Sequence, residues 1–431
     1  MKFPTGGTAR ELERADPVRF RSRQYSLDGR RSIGNAFFAL SCLETRPCGF
    51  TTGSVFMETK EKYMRRALEL AAMGEGRTSP NPMVGCVVVK DGRIISEGYH
   101  EKYGEYHAER NALLRCKEDP AGADLYVTLE PCCHQGKTPP CTDIIIEKKI
   151  GRVFVGSLDS NPLVAGRGVA ILRDSGIKVE TGILEEECLK LNEVFYHYIS
   201  TGTPFVAAKY AMSADGRIAC ASGDSKWITG EAARRQVHML RKRYSGILVG
   251  IGTVLADDPM LNCREEEGVD PVRIICDSNL RIPMDSQIVK TAGEIPTIVA
   301  TAERTLETSE GKAKAGELAS AGATVITAGG AAEGEETDLK NLMGQLAERK
   351  IDSVLIEGGS RINASAFASR IVSKVYAYVG GVIIGGEEAP GPVGGEGAGT
   401  MAEAVRLRDT CVGAVGDDIC ITGYPEYPED E

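Results

Sequence analysis

Two short stretches decide the fold of the first half of this chain. Residues 107–109 are His-Ala-Glu at the start of a predicted helix, and residues 128–141 are Thr-Leu-Glu-Pro-Cys-Cys-His-Gln-Gly-Lys-Thr-Pro-Pro-Cys, with a predicted strand before them and a predicted helix after them. Apolar runs typical of buried strands, such as residues 84–89, alternate with helical patterns along the chain, such as residues 230–243. This alternation predicts layered α/β domains.

His107, Cys132 and Cys141 form a predicted zinc site. One imidazole and two thiolates are ligands that zinc prefers, and three protein ligands leave the fourth position open, as a catalytic site requires. Bound zinc lowers the pKa of its water to about 7. Glu109 follows His107 closely in the sequence, so it can relay a proton from that water to a ring nitrogen and then to a leaving amine. The pattern therefore predicts a hydrolytic deaminase of an amino-substituted ring.

The spacing of the two cysteines leaves other ligand sets open. Zinc deaminases of nucleobases carry a P-C-x-x-C pattern, whereas Cys141 follows Cys132 by nine residues here. Cys133 and His134 lie in this longer segment and are rival ligands. A closed structural zinc site is the other interpretation, but it would need four ligands and would have no use for Glu109 beside His107.

Length, composition and charge exclude several classes of protein. A chain of 431 residues is too long for one ordinary core, so we expect two domains and some extra sequence. The content of 42% hydrophobic and 26% charged residues is that of a soluble globular protein. A formal charge of −10 argues against a nucleic-acid partner, and no apolar run is long enough for a membrane span. The 13 cysteines, an odd number, favour a reducing cytoplasm over a disulfide framework.

We expect three parts along the chain. Residues 1–56 hold nine Lys/Arg and five Asp/Glu without a sustained pattern. They are an organellar transit peptide or the result of a start codon assigned too early, and we favour the second, with Met57 as the first residue. Residues 57–202 form the predicted zinc-dependent deaminase domain, and residues 203–431 form a second α/β domain.

The second domain has no G-x-G-x-x-G fingerprint and no Walker A sequence. A predicted buried strand, residues 354–356, is followed by Glu357-Gly358-Gly359-Ser360. Two glycines there would let the backbone approach a phosphate at a helix N-terminus, although a tight structural turn fits equally well.

The zinc motif resembles the deaminase half of the bifunctional riboflavin-biosynthesis deaminase/reductases. The resemblance rests on His-Ala-Glu together with the long cysteine spacing of residues 128–141, on residues 79–85 (Ser-Pro-Asn-Pro-Met-Val-Gly) and on residues 161–168 (Asn-Pro-Leu-Val-Ala-Gly-Arg-Gly). It implies a cytidine-deaminase-like N-terminal domain whose pocket is lined by Asn81, His100 and Lys137.

The second domain resembles the reductase half of the same family. The matching segments are residues 211–219 (Ala-Met-Ser-Ala-Asp-Gly-Arg-Ile-Ala), 223–229 (Gly-Asp-Ser-Lys-Trp-Ile-Thr), 252–259 (Gly-Thr-Val-Leu-Ala-Asp-Asp-Pro) and the Glu-Gly-Gly-Ser run. The resemblance covers residues 57 to the end and implies a dihydrofolate-reductase-like C-terminal domain. One departure is Gly380-Gly381-Val382, where the family usually has Ala-Pro-Lys. We expect the strand to continue through residues 383–386 even so, and the Gly-rich stretch of residues 380–399 to be a long loop.

The resemblance also implies the residues that bind cofactor and substrate in the second domain. NADPH contacts are implied at Ala211, Trp227, Thr253, Asp257, Ser278, Gly359, Ser360, Arg361, Ile362, Asn363, Ala364 and Ser365. Substrate contacts are implied at Ser225, Arg241, Leu261, Arg264 and Glu357. Arg241 and Arg264 suit a ribose phosphate, because arginine binds phosphate in a bidentate manner. Lys209 and Glu357 are candidate proton donors.

The implied activity has two steps. The first is zinc-dependent deamination of 2,5-diamino-6-ribosylamino-4(3H)-pyrimidinone 5′-phosphate, and the second is NADPH-dependent reduction of the ribose to give 5-amino-6-(5-phospho-ribitylamino)uracil. We expect one zinc per deaminase site and a homo-oligomer. The rival hypotheses are a nucleoside or tRNA-adenosine deaminase with an unrelated second domain, and a zinc-stabilised binding module without activity.

Overall fold

The computed structural model describes residues 54–161, 165–265, 268–332 and 336–428. The prediction for the extension of residues 1–56 lies outside this part, except for the last three residues. Residues 57–202 are called the N-terminal region below, and residues 203–428 the C-terminal region. This division is the predicted one and stays a prediction. None of the helices in the described ranges is both long and apolar enough to cross a membrane.

The N-terminal region is built on a five-stranded sheet with the strand order β2-β1-β3-β4-β5. The strand β1 pairs antiparallel with β2 and β3, whereas β3, β4 and β5 run parallel. Apolar side chains of both faces are buried in two core clusters. In chain order, the elements are α1 (Ser54–Ala72), β1 (Gly85–Lys90), β2 (Arg93–Tyr99), α2 (Ala108–Arg115), β3 (Asp124–Leu129), α3 (Cys141–Glu147), β4 (Arg152–Ser157), α4 (Arg167–Asp174), β5 (Lys178–Thr181), α5 (Glu185–Leu191) and α6 (Glu193–Thr201).

The C-terminal region is built on a nine-stranded sheet with the order β10-β9-β8-β7-β11-β6-β12-β14-β13. The strands from β10 to β12 are parallel, and β14 and β13 complete the sheet antiparallel. The elements are β6 (Phe205–Ser213), α7 (Glu231–Arg243), β7 (Gly246–Gly250), α8 (Ile251–Asp257), β8 (Val272–Cys276), α9 (Gln287–Lys290), β9 (Thr297–Thr301), α10 (Glu303–Glu307), α11 (Ser309–Ser320), β10 (Thr324–Thr327), α12 (Leu339–Glu348), β11 (Ser353–Ile356), α13 (Ser360–Ala368), β12 (Val372–Gly380), β13 (Arg406–Val415) and β14 (Asp418–Glu426).

Helices cover both faces of the parallel part of this sheet. Leu342 and Leu346 of α12 pack with Leu248 and Val354 on one face, whereas Val237 and Leu240 of α7 pack with Phe205 on the other. Strands buried on both faces are continuous apolar runs rather than alternating patterns. For this reason, residues 354–356, predicted above as a buried strand, are recognisable from sequence.

One prediction about the sheet is wrong. The strand β12 ends at Gly380 and does not continue through residues 383–386. The backbone N–H groups of Ile384 and Gly385 donate to the carboxylate of Asp215, at 3.1 and 2.6 Å, and are therefore not available to a neighbouring strand. A Cβ at Gly380 would lie 2.0 Å from the carbonyl oxygen of Ile228, so the family's alanine would not fit here without movement.

Gly98 sets how closely α2 approaches the sheet. A Cβ at this position in β2 would lie 2.4 Å from the backbone nitrogen of Ala112, in the middle of α2. Helix α2 follows His107 and carries Glu109 in its first turn. The absence of a side chain at Gly98 therefore fixes the position of the helix on which the candidate site depends.

We predict that Gly98→Ala destabilises the protein by roughly 1–3 kcal/mol, because a rigid helix backbone must move to admit the methyl group. Gly316→Ala is the matched control, since Gly316 lies in α11 with no atom within 4 Å of an added Cβ. It should stabilise the helix by up to about 1 kcal/mol. The midpoint of thermal unfolding measures both changes, and equal midpoints for the two variants would contradict this view of Gly98.

Candidate functional site

Three side chains from separate segments meet at one point of the N-terminal region. His107 precedes the first residue of α2, Cys132 lies three residues after the end of β3, and Cys141 is the first residue of α3. Their ligand atoms all lie within 4.8 Å of one another. The Nδ1 atom of His107 is 3.4 Å from Sγ of Cys132 and 3.5 Å from Sγ of Cys141. This donor set of one nitrogen and two sulfurs fits zinc.

The electrostatics of the cluster favour an anionic sulfur. Hydrogen bonds from Cys141 and His107 lower the pKa of the Cys132 thiol to about 4, although burial acts in the opposite direction. The backbone N–H of Cys141 also donates to that sulfur at 3.4 Å. Because the thiolate is the form that binds metals, Cys132 already has the charge that a ligand needs.

Glu109 is the fourth functional group of this cluster and is buried in the first turn of α2. Burial raises the pKa of its carboxyl to about 7, and the neighbouring Cys132 adds to the shift. A divalent cation bound at the three ligands would act in the opposite direction. A carboxyl group with a pKa in this range can both take up and release a proton near neutral pH.

A cavity of about 240 Å³ opens in front of these residues. Asn81, His100 and Lys137, the residues that the resemblance implied, all line it. The Nδ2 atom of Asn81 lies 3.3 Å from Nε2 of His100, and Nδ1 of His100 lies 3.1 Å from the carbonyl oxygen of Tyr106. Since a carbonyl only accepts hydrogen bonds, Nδ1 of His100 carries the proton and Nε2 accepts from Asn81.

Other polar residues line the cavity as well, among them two that sequence reasoning did not place there. These two are Asp159 and Asn161, whereas His134, considered above as a rival zinc ligand, lies in the cavity lining too. Asp159 and Asn161 both follow the end of β4 at Ser157. A signal was available for them, because β3 and β4 run parallel and the carboxyl ends of parallel strands meet at one edge of the sheet.

The rival zinc ligands do not join the cluster. Within the described residues, the group of converging metal-binding atoms contains His107, Cys132 and Cys141 but neither Cys133 nor His134. His134 is exposed at the cavity, and Cys133 is half-buried beside it. Three protein ligands remain, which leaves room for a fourth, exchangeable one.

A second cavity, of about 330 Å³, lies in the C-terminal region at the N-terminus of α13. The residues implied for NADPH that line it are Thr253, Ser278, Gly359, Ser360, Arg361, Ile362 and Ser365. Arg281, Glu336 and Thr337 line it as well and were not anticipated. The Glu-Gly-Gly-Ser run therefore opens a helix at a cavity, an arrangement that suits an anionic ligand.

The other residues implied for NADPH do not line this cavity. The Trp227 side chain is 68% exposed and has the guanidinium of Arg234 over its ring, 4.5 Å from the centroid. Asp257 forms an ion pair with Lys226 at 3.3 Å. Asn363 is buried and donates to the carbonyl oxygen of Pro392 at 2.9 Å, while Ala211 lies on β6 and Ala364 on α13.

Arg241 and Glu357, both implied as substrate contacts, hold each other. Nε and Nη2 of Arg241 lie 2.6 and 3.2 Å from the two carboxylate oxygens of Glu357, and Nζ of Lys209 lies 3.5 Å from one of them. Burial acts to raise the pKa of Glu357, but these two cations outweigh it and lower the pKa to about 2. Glu357 is therefore a carboxylate at neutral pH and an unsuitable proton donor. Of the other implied contacts, Leu261 is buried, Ser225 half-buried and Arg264 exposed.

Comparison with known proteins decides the family. Residues 57–157 match the cytidine and deoxycytidylate deaminase zinc-binding region, and residues 204–421 match the RibD C-terminal domain. The riboflavin biosynthesis protein RibD of Actinobacillus pleuropneumoniae is 52% identical over 83% of this chain and 93% of its own length.

The chain belongs to the RibD family.

Solved RibD structures support the same assignment. RibD of Acinetobacter baumannii superimposes with a TM-score of 0.75 at 37% identity, over 86% of this chain and 99% of its own. A Thermotoga maritima protein, described as a diaminohydroxyphosphoribosylaminopyrimidine deaminase/5-amino-6-(5-phosphoribosylamino)uracil reductase, gives a TM-score of 0.73 at 38% identity, over 86% and 100% of the two chains. The predicted fold class, a cytidine-deaminase-like domain followed by a dihydrofolate-reductase-like domain, is confirmed. A deaminase with an unrelated second domain is excluded, because the C-terminal region matches RibD as well.

The ligand assignment makes a prediction about metal content. Cys141→Ser should lose zinc, because it replaces a converging thiolate, whereas Cys133→Ser should keep about one zinc per chain. Elemental analysis of the two purified variants measures this directly. Zinc loss in Cys133→Ser, or retention in Cys141→Ser, would show that the ligand set is wrong.

Proposed function

We propose that this RibD-family enzyme deaminates 2,5-diamino-6-ribosylamino-4(3H)-pyrimidinone 5′-phosphate and then reduces the ribose of the product to give 5-amino-6-(5-phospho-ribitylamino)uracil. The observation that carries the proposal is the convergence of His107, Cys132 and Cys141 beside buried Glu109, in a chain whose second half matches the RibD C-terminal domain. We place the enzyme in the cytoplasm and expect it to be a homo-oligomer without nucleic-acid or membrane partners.

In the deamination, His107, Cys132 and Cys141 would hold one zinc ion. When bound, zinc would lower the pKa of a coordinated water and so supply a nucleophile at neutral pH. Glu109 takes one proton from the attacking water and delivers it to the ring nitrogen. It then transfers the second proton, from the hydroxyl now on the ring carbon, to the amine, so that the C–N bond breaks and ammonia leaves. Its burial keeps bulk water away from this proton path.

The pocket residues orient the substrate for this step. Asn81 and His100 are hydrogen-bonded to each other at 3.3 Å and present polar edges to the ring. Lys137 is exposed at the cavity, with its Nζ atom 3.9 Å from the ring centroid of Tyr103. A lysine ammonium at this position would attract the substrate phosphate.

In the reduction, the second cavity would bind NADPH, which supplies the hydride when bound. Gly359 and Ser360 lie at the N-terminus of α13, where free backbone N–H groups can bind a phosphate, and Thr253 and Ser278 contribute hydroxyls. Ala211, Trp227, Asp257, Asn363 and Ala364 stay predicted contacts. They lie outside this cavity, so a bound cofactor would have to extend beyond the cavity to contact them.

In the same reduction, Arg241, Arg264 and Glu357 would position the opened sugar phosphate. Arg241 uses two of its N–H groups on Glu357 and a third on the carbonyl oxygen of Asn262, at 3.1 Å, so its remaining donors are the ones free for phosphate. Since Glu357 is ionised, Lys209 is the proton donor that remains among the two candidates. The substrate contacts at Ser225 and Leu261 also stay predictions.

We predict that Glu109→Gln abolishes deamination and keeps zinc. The amide cannot relay a proton, and loss of a general acid–base group lowers the rate by about 10²–10⁴-fold. Ammonia release from the diaminopyrimidine phosphate measures the loss, and NADPH oxidation with the deaminated product serves as the internal control and should be unchanged. Normal ammonia release would instead support a zinc-stabilised binding module that has no need of Glu109.

We further predict that Glu357→Gln impairs only the reduction, because Arg241 and Lys209 lose their carboxylate partner.

The contribution of Glu357 to the stability of the fold should depend on pH in a defined direction. A lowered pKa means that the carboxylate stabilises the fold above the pKa of an unfolded glutamate, about 4.3, and that this stabilisation is lost as the pH falls towards 2. The stability difference between wild type and variant should therefore be constant above about pH 5 and shrink below it. A difference that changes between pH 6 and 8 would contradict the assigned ionisation.

A further inference from the structure

A cluster of four largely buried charged side chains joins the two regions of the chain. Arg243, the last residue of α7, lies 3.3 Å from Glu75 and 3.2 Å from Glu193. Lys374 of β12 lies 2.7 Å from the same oxygen of Glu193, and the Tyr424 hydroxyl donates to the other oxygen at 2.6 Å. The side chains of Glu193 and Lys374 are 10% exposed, that of Arg243 is 13% and that of Glu75 is 24%.

The acidic and the basic residues of this cluster come from different regions of the chain. Both acids, Glu75 and Glu193, come from the N-terminal region, and both bases, Arg243 and Lys374, come from the C-terminal region. A buried charge that loses its partner is strongly unfavourable. Within the described residues, every ion pair of these four charges therefore crosses from one region to the other.

The acids are attached to a loop that lines the deaminase cavity. This loop, residues 73–84, is called the Asn81 loop here, because it presents Asn81 to the cavity. Glu75 belongs to the loop itself. Near the other end of the loop, the backbone N–H of Met83 donates to Oδ1 of Asn192 at 2.8 Å, and Nδ2 of Asn192 donates to the carbonyl oxygen of Met83 at 2.9 Å. Asn192 directly precedes Glu193. The cluster thus holds the loop at both ends.

The backbones of the two regions also approach each other closely at this cluster. A Cβ on Gly76 of the Asn81 loop would lie 2.5 Å from the carbonyl oxygen of Lys242, next to Arg243. A small cavity of about 30 Å³ is lined by Glu75, Arg243, Asn192 and Asn81. Asn81 lines this cavity and the deaminase cavity alike, so the ion pairs lie directly behind the substrate pocket.

We infer that Arg243 is a positioning residue for deamination, which acts from the C-terminal region through Glu75 and Glu193 to hold Asn81 in place. The inference rests on the proposed function. It makes the deaminase dependent on the reductase half for the geometry of its pocket. One helix then serves both sites, since α7 directs Arg241 to Glu357 and Arg243 to the Asn81 loop.

The test is a double-mutant cycle on deamination by the full-length enzyme. Arg243→Met should raise the KM for the diaminopyrimidine phosphate about tenfold or more and change kcat much less, with zinc content unchanged. If Arg243 acts through Asn81, adding Arg243→Met to Asn81→Ala should raise the KM by less than a further factor of two. Arg243→Lys keeps the charge and should recover most of the loss.

Arg235→Met is the matched control on the same helix. Arg235 pairs with Glu231 at 3.1 Å on the surface, with side chains 68% and 79% exposed, so its loss should leave the KM unchanged. Should Arg243→Met fail to fold, Glu75→Gln takes its place, because it leaves the Arg243–Glu193 contact intact and should raise the KM in the same direction.

The outcomes separate the two hypotheses. If wild type releases no ammonia, the proposed function fails. If wild type is active but Arg243→Met and Glu75→Gln keep its KM, or if the effects of Arg243→Met and Asn81→Ala multiply in full, the positioning role is overturned.

Discussion

The structure of the first site depends on one constraint, that an imidazole and two thiols from three separate segments must meet within bonding distance of one cation. Sequence alone separates Cys132 from His107 by 25 residues and from Cys141 by nine. The sheet brings them together, because β3 carries Cys132 to the edge where helices α2 and α3 begin. The close approach of α2 over Gly98 and the burial of Glu109 both serve this meeting point.

The two sites use charge in opposite ways. In the first, burial and a neighbouring thiolate bring the pKa of Glu109 towards neutrality, so that a proton can move. In the second, two cations lower the pKa of Glu357 to about 2, so that the carboxylate serves as a fixed anchor. The environment of each carboxyl, rather than its chemical type, determines its role.

Much of the fold and of the zinc site could be predicted from sequence, because both depend on residue type and local order. The zinc ligands, Glu109, the buried strands and the helix after the Glu-Gly-Gly-Ser run all carry local patterns. Cys133 stayed a rival because spacing does not show where a sulfur points. The strand beyond Gly380 was predicted wrongly because Asp215, far away in sequence, takes its N–H groups. The Glu75–Arg243 contact spans 168 residues, and no local pattern predicts it.

The most direct test of the account is a reaction of the purified wild-type enzyme with the diaminopyrimidine phosphate, first without and then with NADPH. The account predicts stoichiometric ammonia release in both cases, with NADPH oxidation that begins only after the deaminated product forms. It also predicts that a zinc chelator stops ammonia release and leaves the reduction of added product intact. NADPH oxidation without any ammonia, or ammonia release that persists in the zinc-free enzyme, would contradict it.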